Sequence, residues 1–491
     1  MSGSPASILT DRQPVNYSPV PLKLKLYNAT GSIAFGIKDN GFSVFLLTFY
    51  NQVLGMEAWL VSLALVIALV ADAMVDPLLG NLSDRTYTKW GRRLPWLYAA
   101  PIPLAVVWYV LWSPPVDGPP SFWTLLGLAI TVRLLLSACE VPSISLVPEI
   151  TRDYDERTTL FRYRFLFAWG SGLVALYLAY QVFLREDLLS LEGYRNFGLF
   201  GAITIAAAVL ISAALQHRYV ARYPEQRPPP FRIREVFGEI VEAFSERAFL
   251  IFAAGALAAY VSQGMTFALS NYLYYFVWQL NEGQLAIYPL ILFFSVVAVF
   301  FTLSALHLRY GKARTGAGAT IVSMISWLVP YGLYAIGLWP ELGTTASAVA
   351  LFFFIFVSNA AGVTAVISAT SMVAEVIEAY QEKSGRRAEA SFYAGNWLVQ
   401  KCATGIGILL AGSMLSLAAF PSGAKPGAVA EPVIVSLIAY YCVAVALLGL
   451  VSAYWLARFP ISREEHEERL AALAALDVTA RADPDASGLV P

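Results

Sequence analysis

Two carboxylates four residues apart, Asp72 and Asp76, lie inside a long apolar run between Ala58 and Leu82. An i, i+4 spacing puts both on one helix face with Cβ atoms ~5–6 Å apart, where they repel unless something positive sits between them. Na+, Li+ or a proton would serve, because hard monovalent cations take oxygen ligands and two carboxylates plus a hydroxyl make a plausible cage. The plainer alternative is that both acids pair with basic side chains of neighbouring helices. Either way each charge needs a partner or a task, since an ionisable group inside a bilayer is costly.

Other charges interrupt other apolar runs. Glu140 occurs in Ser137-Ala-Cys-Glu140-Val-Pro142, with the Ser137 hydroxyl one turn earlier on the same face. Pro142 loosens that turn and frees a carbonyl. Arg133 lies seven residues before Glu140, also on that face, and reads equally as a structural partner or as part of a pathway. Lys401, in Val399-Gln-Lys-Cys-Ala, is far from either end of its run, so snorkelling is difficult. It is expected to act as counter-ion to the acids. Lys38 and Asp39 precede Asn40 and Gly41. Adjacent residues point in different directions, so this pair is not expected to be a simple ion pair along one face, and at least one of them should face a cavity. Asn271, Tyr275, Asn396 and Trp397 are further candidate solute contacts. Aromatic residues in such helices also serve packing or the interfacial belt.

The elements that must position these groups follow from composition. Of 491 residues 58% are hydrophobic and 14% charged, against roughly 25% charged in an average soluble domain. The apolar excess runs from Leu22 to Phe459 without a soluble-looking interval, so it must face lipid. A net charge of -1 points to neither nucleic acid nor an acidic partner. Cys139, Cys402 and Cys442 lie in apolar segments, and with His217, His307 and His466 they make no disulfide framework or metal-ligand spacing. The first 21 residues lack the basic-then-apolar pattern of a cleaved signal, so the first span is expected to direct insertion.

Runs of ~20 apolar residues recur between short turns rich in Gly, Pro and charge. They predict an all-α membrane protein with spans at 24–53, 57–82, 95–113, 121–149, 162–184 and 194–215, then 249–278, 284–308, 315–337, 345–377, 388–417 and 430–458. The domains expected are a tail (1–23), a six-helix bundle (24–215), a central loop (216–248) holding Pro228 to Pro230 and an amphipathic segment from Ile233 to Phe244, a second six-helix bundle (249–458) and a second tail (459–491). Lys and Arg accumulate in loops that stay cytoplasmic. They do so after the second span (Arg85, Lys89, Arg92, Arg93), the fourth (Arg152, Arg157, Arg162, Arg164), the eighth (Arg309, Lys312, Arg314) and the tenth (Lys383, Arg386, Arg387), and in the central loop. The opposite loops hold Arg185, Arg195 and Lys425. Both termini are thus expected in the cytoplasm, which requires an even number of spans.

Two halves of six spans are the doubled architecture in which a solute site lies between bundles near the midplane. Gly80-Asn-Leu-Ser-Asp84-Arg85 with Gly91-Arg92-Arg93 resembles the loop motif of the major facilitator superfamily, and Arg309-Tyr-Gly-Lys312-Ala-Arg314 looks like its weaker counterpart. Beside the plain topological reading of these basic residues, the spacing allows a latch at the cytoplasmic face in which Asp84 pairs with an arginine. Asp84, Arg85, Arg92, Arg93, Glu375 and Glu378 are the expected gate residues.

Taken together, these features resemble the glycoside-pentoside-hexuronide:cation symporter family, melibiose permease-like, over nearly the whole chain. The resemblance is carried by Asp72-Ala-Met-Val-Asp76-Pro77-Leu-Leu-Gly80 through Gly91-Arg-Arg-Leu-Pro95, by Val141-Pro142 through Pro148 to Asp155-Glu156-Arg157 and Tyr163-Arg164, and by Met372-Val-Ala-Glu375-Val-Ile-Glu378 with Arg387-Ala-Glu389 and Lys401. It implies the major facilitator fold with 12 membrane helices in two six-helix bundles. It also implies a coupling cation, Na+ or H+, at Asp72 and Asp76 with Ser137. Glu140 would join the cation and solute sites, Lys401 would support the cation, and Arg164 would stand on the solute side. The melibiose branch has Asp and Thr where this chain has Glu140 and Ser137. It has a first-helix acid where this chain has Gly36, with Asp39 a turn later, and a stacking tryptophan where this chain has Ile144. Those departures argue against a melibiose-like pocket.

The expectation is cation-coupled symport of a small solute, a sugar or glycoside, by alternating access in a bacterial-type cell membrane. The chain is expected to be monomeric, to need no cofactor beyond the coupling ion, and to partner only solute and lipid. Within transport, an amphiphile such as a lysolipid is the alternative, which an apolar lateral opening between the fifth and eighth or the second and eleventh spans would favour. A membrane enzyme or sensor is the other class, but no nucleotide loop, metal cluster or nucleophile with a nearby base occurs.

Overall fold

In a bilayer every backbone polar group must be satisfied within the chain, so the apolar runs fold as helices. The computed structural model describes residues 19–115, 118–151, 153–221, 241, 243–384 and 388–460. The remaining tails, the greater part of the central loop with most of its amphipathic segment, Arg152, Arg386 and Arg387 lie outside the described residues.

Among the described residues ten helices are long and apolar enough to cross a membrane: α2 (Ala58–Arg85), α4 (Phe122–Ile150), α5 (Glu156–Phe183), α6 (Leu191–Val220), α7 (Arg247–Val277), α8 (Glu282–Tyr310), α9 (Lys312–Ala335), α10 (Thr345–Ser384), α11 (Glu389–Leu417) and α12 (Glu431–Ala457). The other two expected spans are present in pieces. α1 (22–53) runs as Leu22–Thr30, Ile33–Asn40, a π-turn at Gly41–Phe45, Leu46–Thr48 and a second π-turn at Phe49–Val53. α3 (94–112) is Leu94–Ala99 followed by Pro101–Trp112, Pro101 starting the second piece where its missing N–H is harmless. The widest boundary differences are at the start of α5, expected at 162 and helical from Tyr154, and at the end of α10, expected at 377 and observed to Ser384. Hydropathy stops at the membrane interface, whereas hydrogen bonding continues through the polar turn Gln381-Glu-Lys into water.

Packing repeats between the two sets of six. α1 packs on α5 and α6, α2 on α4, and α3 on α4 and α6. In the second set α7 packs on α11 and α12, α8 on α10, and α9 on α10 and α12. Between the sets, α2 lies along α11, α5 touches α8, and the far part of α1 meets α7.

The α1–α5 contact decides the register of the first helix. A Cβ at Gly36 would stand 1.9 Å from the Ala168 carbonyl oxygen and 2.8 Å from the Gly172 nitrogen. Gly36 therefore presses backbone to backbone on α5. No side chain fits there, and the acid that α1 can offer to the interior is Asp39.

Candidate functional site

The seam between α2 and α11 holds the paired carboxylates. Lys401 of α11 reaches across it, donating to Asp72 Oδ2 at 3.0 Å and to Asp76 Oδ2. α4 supplies the rest of the Asp72 shell. Ser137 donates its hydroxyl to Oδ1 at 2.5 Å, and Arg133 donates Nη1 to Oδ2 at 3.2 Å. Ser137 and Arg133 are one turn apart, as are Asp72 and Asp76, so one face of α4 meets one face of α2. Arg133 also lies 4.4 Å above the Phe42 ring, in the first π-turn of α1. Asp72 and Arg133 are buried, whereas the Lys401 and Asp76 side chains keep about a third of their surface. Asp76 Oδ1 itself is sealed from solvent and accepts no hydrogen bond. An orphaned buried carboxylate oxygen is rare in folded proteins and marks a place where an ion, a proton or water belongs.

Beside this cluster sits a second one. Lys38 of α1 donates to Glu140 Oε2 at 3.1 Å and also pairs with Asp39 Oδ1 at 3.2 Å. The adjacent residues were not expected to meet, but the long lysine stem turns back far enough to bridge both acids. The Asp39 side chain is 70% exposed while Lys38 is only 15% exposed. Asn40, next in sequence, donates to the Gly172 carbonyl of α5 at 2.7 Å and ties the turn down. Arg164 of α5 is buried and donates Nη1 to Asn28 Oδ1 at 3.1 Å and to Ser143 Oγ at 3.0 Å. Asn28 in turn donates to Gln216 of α6 at 3.2 Å. Asn28 and Gln216 went unremarked in the sequence because uncharged polar residues in apolar runs carry a weaker signal than ions.

At the end carrying the basic loops, Arg93 pairs with Asp84, donates to Ser83 Oγ at 2.6 Å and meets Glu149 at 3.5 Å. The second set repeats the theme with Lys312, at the start of α9, on Glu375 of α10 at 2.8 Å. Arg85 is exposed, and Arg92 and Glu378 are half-buried, at this same end.

The opposite end is closed by contacts between the sets. Asn271 of α7 donates to the Val44 carbonyl at 2.9 Å and to Thr48 Oγ1 at 3.2 Å, and accepts from the Tyr180 hydroxyl at 2.7 Å. Tyr272 donates to Asn51 at 2.7 Å. Gln52 donates to the Pro421 carbonyl at 3.1 Å and accepts from the Ala424 N–H at 2.9 Å. Tyr275 reaches Asp187 at 3.5 Å. In this conformation the polar atoms of Asn271 and Tyr275 are thus spent on closing the far end. Of the remaining candidates, Asn396 is buried with Oδ1 unpartnered. Trp397 is half-exposed one turn before Lys401 on the same side of α11.

Chemically the arrangement is a binding device. It sets the Asp72 and Asp76 carboxylates against the Lys401 ammonium at the seam between the two sets, with the Lys38, Asp39 and Glu140 cluster beside them in the first set. Among the described residues no group of three or more His, Cys, Asp and Glu side chains is arranged to hold a metal ion.

Residues 27–463 match the family described as MFS/sugar transport protein. An uncharacterized symporter of Synechocystis, sll1374, is 25% identical to this chain, over 81% of it and 86% of the relative. The putative glycoside/cation symporter YagG of Escherichia coli is 24% identical, over 80% of this chain and 83% of the relative. Among solved structures, the nucleoside transporter NupG superposes with a TM-score of 0.60 at 15% identity, covering 90% of this chain and 99% of that one. That is a likeness of fold.

Proposed function

The chain belongs to the MFS/sugar transport family, within its glycoside-pentoside-hexuronide:cation symporter group, and is a transporter rather than an enzyme; from that premise we propose that it carries a sugar or glycoside by cation-coupled symport. The observation that carries the reading is Lys401 bridging Asp72 and Asp76 across the α2–α11 seam, with Asp76 Oδ1 left without a donor. Na+ or a proton arriving at Asp76 competes with the ammonium and weakens the tie between the two bodies. Ion loading therefore changes the relative stability of two conformations, and coupling is this shared equilibrium.

The solute belongs beside the ion, where Asp39 and Glu140, bridged by Lys38, present charge and hydrogen-bonding capacity, with Arg164 behind them and Trp397 and the buried Asn396 on α11. A polyhydroxylated solute suits such a polar lining, and the printed name of YagG, a putative glycoside/cation symporter, points the same way. An amphiphile carrier would need a lateral opening; the packing of α2 along α11 and the contact of α5 with α8 favour the sugar reading over it. The two bundles are 24–215 and 249–458, joined by the 216–248 loop, with both termini and the basic loops in the cytoplasm of a bacterial-type inner membrane. On that orientation the Asn271 and Gln52 contacts close the outer side, and the conformation faces inward. Asp84 with Arg93, and Glu375 with Lys312, hold the inner ends of their own halves in shape for the closing step, and Arg85, Arg92 and Glu378 flank them. The carrier works as a monomer.

The test has two parts. Purified protein is screened for thermal stabilisation by glycosides with and without Na+, and the best solute is then followed into vesicles under imposed Na+ or proton gradients. Parent protein should accumulate it under at least one gradient, and Asp76→Asn should only equilibrate it. Undiminished gradient-driven accumulation in Asp76→Asn would remove the cation-site assignment.

A further inference from the structure

Asp72 carries more positive charge than a cation site for a metal should tolerate. Its Oδ1 is taken by the Ser137 hydroxyl at 2.5 Å, and its Oδ2 by two cations at once, Arg133 at 3.2 Å and Lys401 at 3.0 Å. The two cations differ in freedom. Lys401 is a point charge on the other half, held to Asp72 only across the seam between the two sets. Arg133 is buried on the same half as Asp72, stacked 4.4 Å from the Phe42 ring, with its Nε enclosed and unbonded. A guanidinium does not lose its proton under any condition the cell offers. The other charges near it, Lys38, Asp39 and Glu140, are already paired among themselves and offer it no easier partner.

Resting on the cation-site reading, we infer that Arg133 is a resident counter-ion that sets which coupling ion the site takes, by excluding Na+ and Li+ from Asp72. A metal cation bound at Asp72 would sit roughly 5 Å from a fixed like charge, which at an effective dielectric constant of ~20 lowers its affinity by more than about 100-fold. The lone pairs that Ser137 and Arg133 take on the two Asp72 oxygens are also lost to an incoming ion, which leaves each oxygen at most one further site. Lys401 alone would not have this effect, because the ion replaces it. Arg133 is invisible as a selectivity element in sequence, where its spacing from Glu140 relates it to the wrong acid.

Radioactive sodium binding to purified full-length protein, with Li+ as competitor, tests this. Parent protein should show no saturable binding over the range in which Arg133→Gln binds sodium, a gain of about 100-fold or more. Arg133→Lys, which keeps the charge, should behave as the parent, and Asp72→Asn introduced into Arg133→Gln should abolish the gained binding. Saturable, Li+-competed sodium binding by the parent with the affinity of Arg133→Gln would overturn the inference, as would a folded Arg133→Gln that gains nothing. If Arg133→Gln does not fold, Arg133→Met, which keeps the length and apolar stem without the charge, carries the same measurement. These outcomes leave the carrier reading intact, because that reading falls separately, when Asp76→Asn keeps gradient-driven uptake.

Discussion

Asn271→Ala should shift the protein toward a state open at the far end. The asparagine is fully buried and makes three hydrogen bonds across the seam, to the Val44 carbonyl, Thr48 Oγ1 and the Tyr180 hydroxyl. All three partners belong to the first six helices, so the amide stitches one half to the other. A net 0.5–1.5 kcal/mol per bond gives about 2–3 kcal/mol, because the loss strands buried polar groups that water would satisfy once the end opens. The ratio of closed to open forms should then fall by a factor of about 30 to 150. Spin labels on Glu186, in the α5–α6 loop, and Ser422, in the α11–α12 loop, report the change, since both positions are exposed and lie on opposite halves at the far end. The three native cysteines are replaced first. Distance distributions from electron paramagnetic resonance should gain a longer component in Asn271→Ala relative to the parent. An unchanged distribution, in protein whose thermal unfolding shows it folded, would refute the claim that these bonds hold the end closed.

Three other outcomes follow from the site and its supports. Lys401→Ala leaves Asp72 and Asp76 facing each other without the bridging ammonium and should cost about 2–3 kcal/mol in thermal unfolding, discounted because the lysine is partly exposed. Adding Asp76→Asn should restore much of that loss, and strict additivity would refute the bridge. Gly36→Ala places a methyl 1.9 Å from the Ala168 carbonyl oxygen and should lower stability by about 2–3 kcal/mol, where a neutral result would mean α1 and α5 do not approach so closely. Arg164→Lys withdraws the buried Nη1 that serves both Asn28 and Ser143 to the end of a shorter side chain and should cost about 1–2 kcal/mol, read as the melting temperature in detergent.

The architecture was legible in the amino-acid sequence because lipid imposes a one-dimensional rule: apolar runs of bilayer length fold as helices, and ions within them are exceptions that need a reason. Hydropathy alone therefore located the spans, and the i, i+4 carboxylates, Glu140 and Lys401 stood out without any structure. What spacing along a helix cannot say is which helices become neighbours. Arg133, placed by spacing with Glu140, sits on Asp72, since α4 lies face to face with α2. Asp39, adjacent to Lys38 and read as unpaired with it, meets it because a lysine stem spans the angle between neighbouring positions. Asn271, read as a solute contact, is drawn into the closed end by the backbone carbonyl of Val44, a partner no sequence pattern marks. Charge type and membrane depth are properties of single positions and so belong to the sequence. Partnership is a property of the fold, decided by the close backbone approach at Gly36 and the seam between α2 and α11.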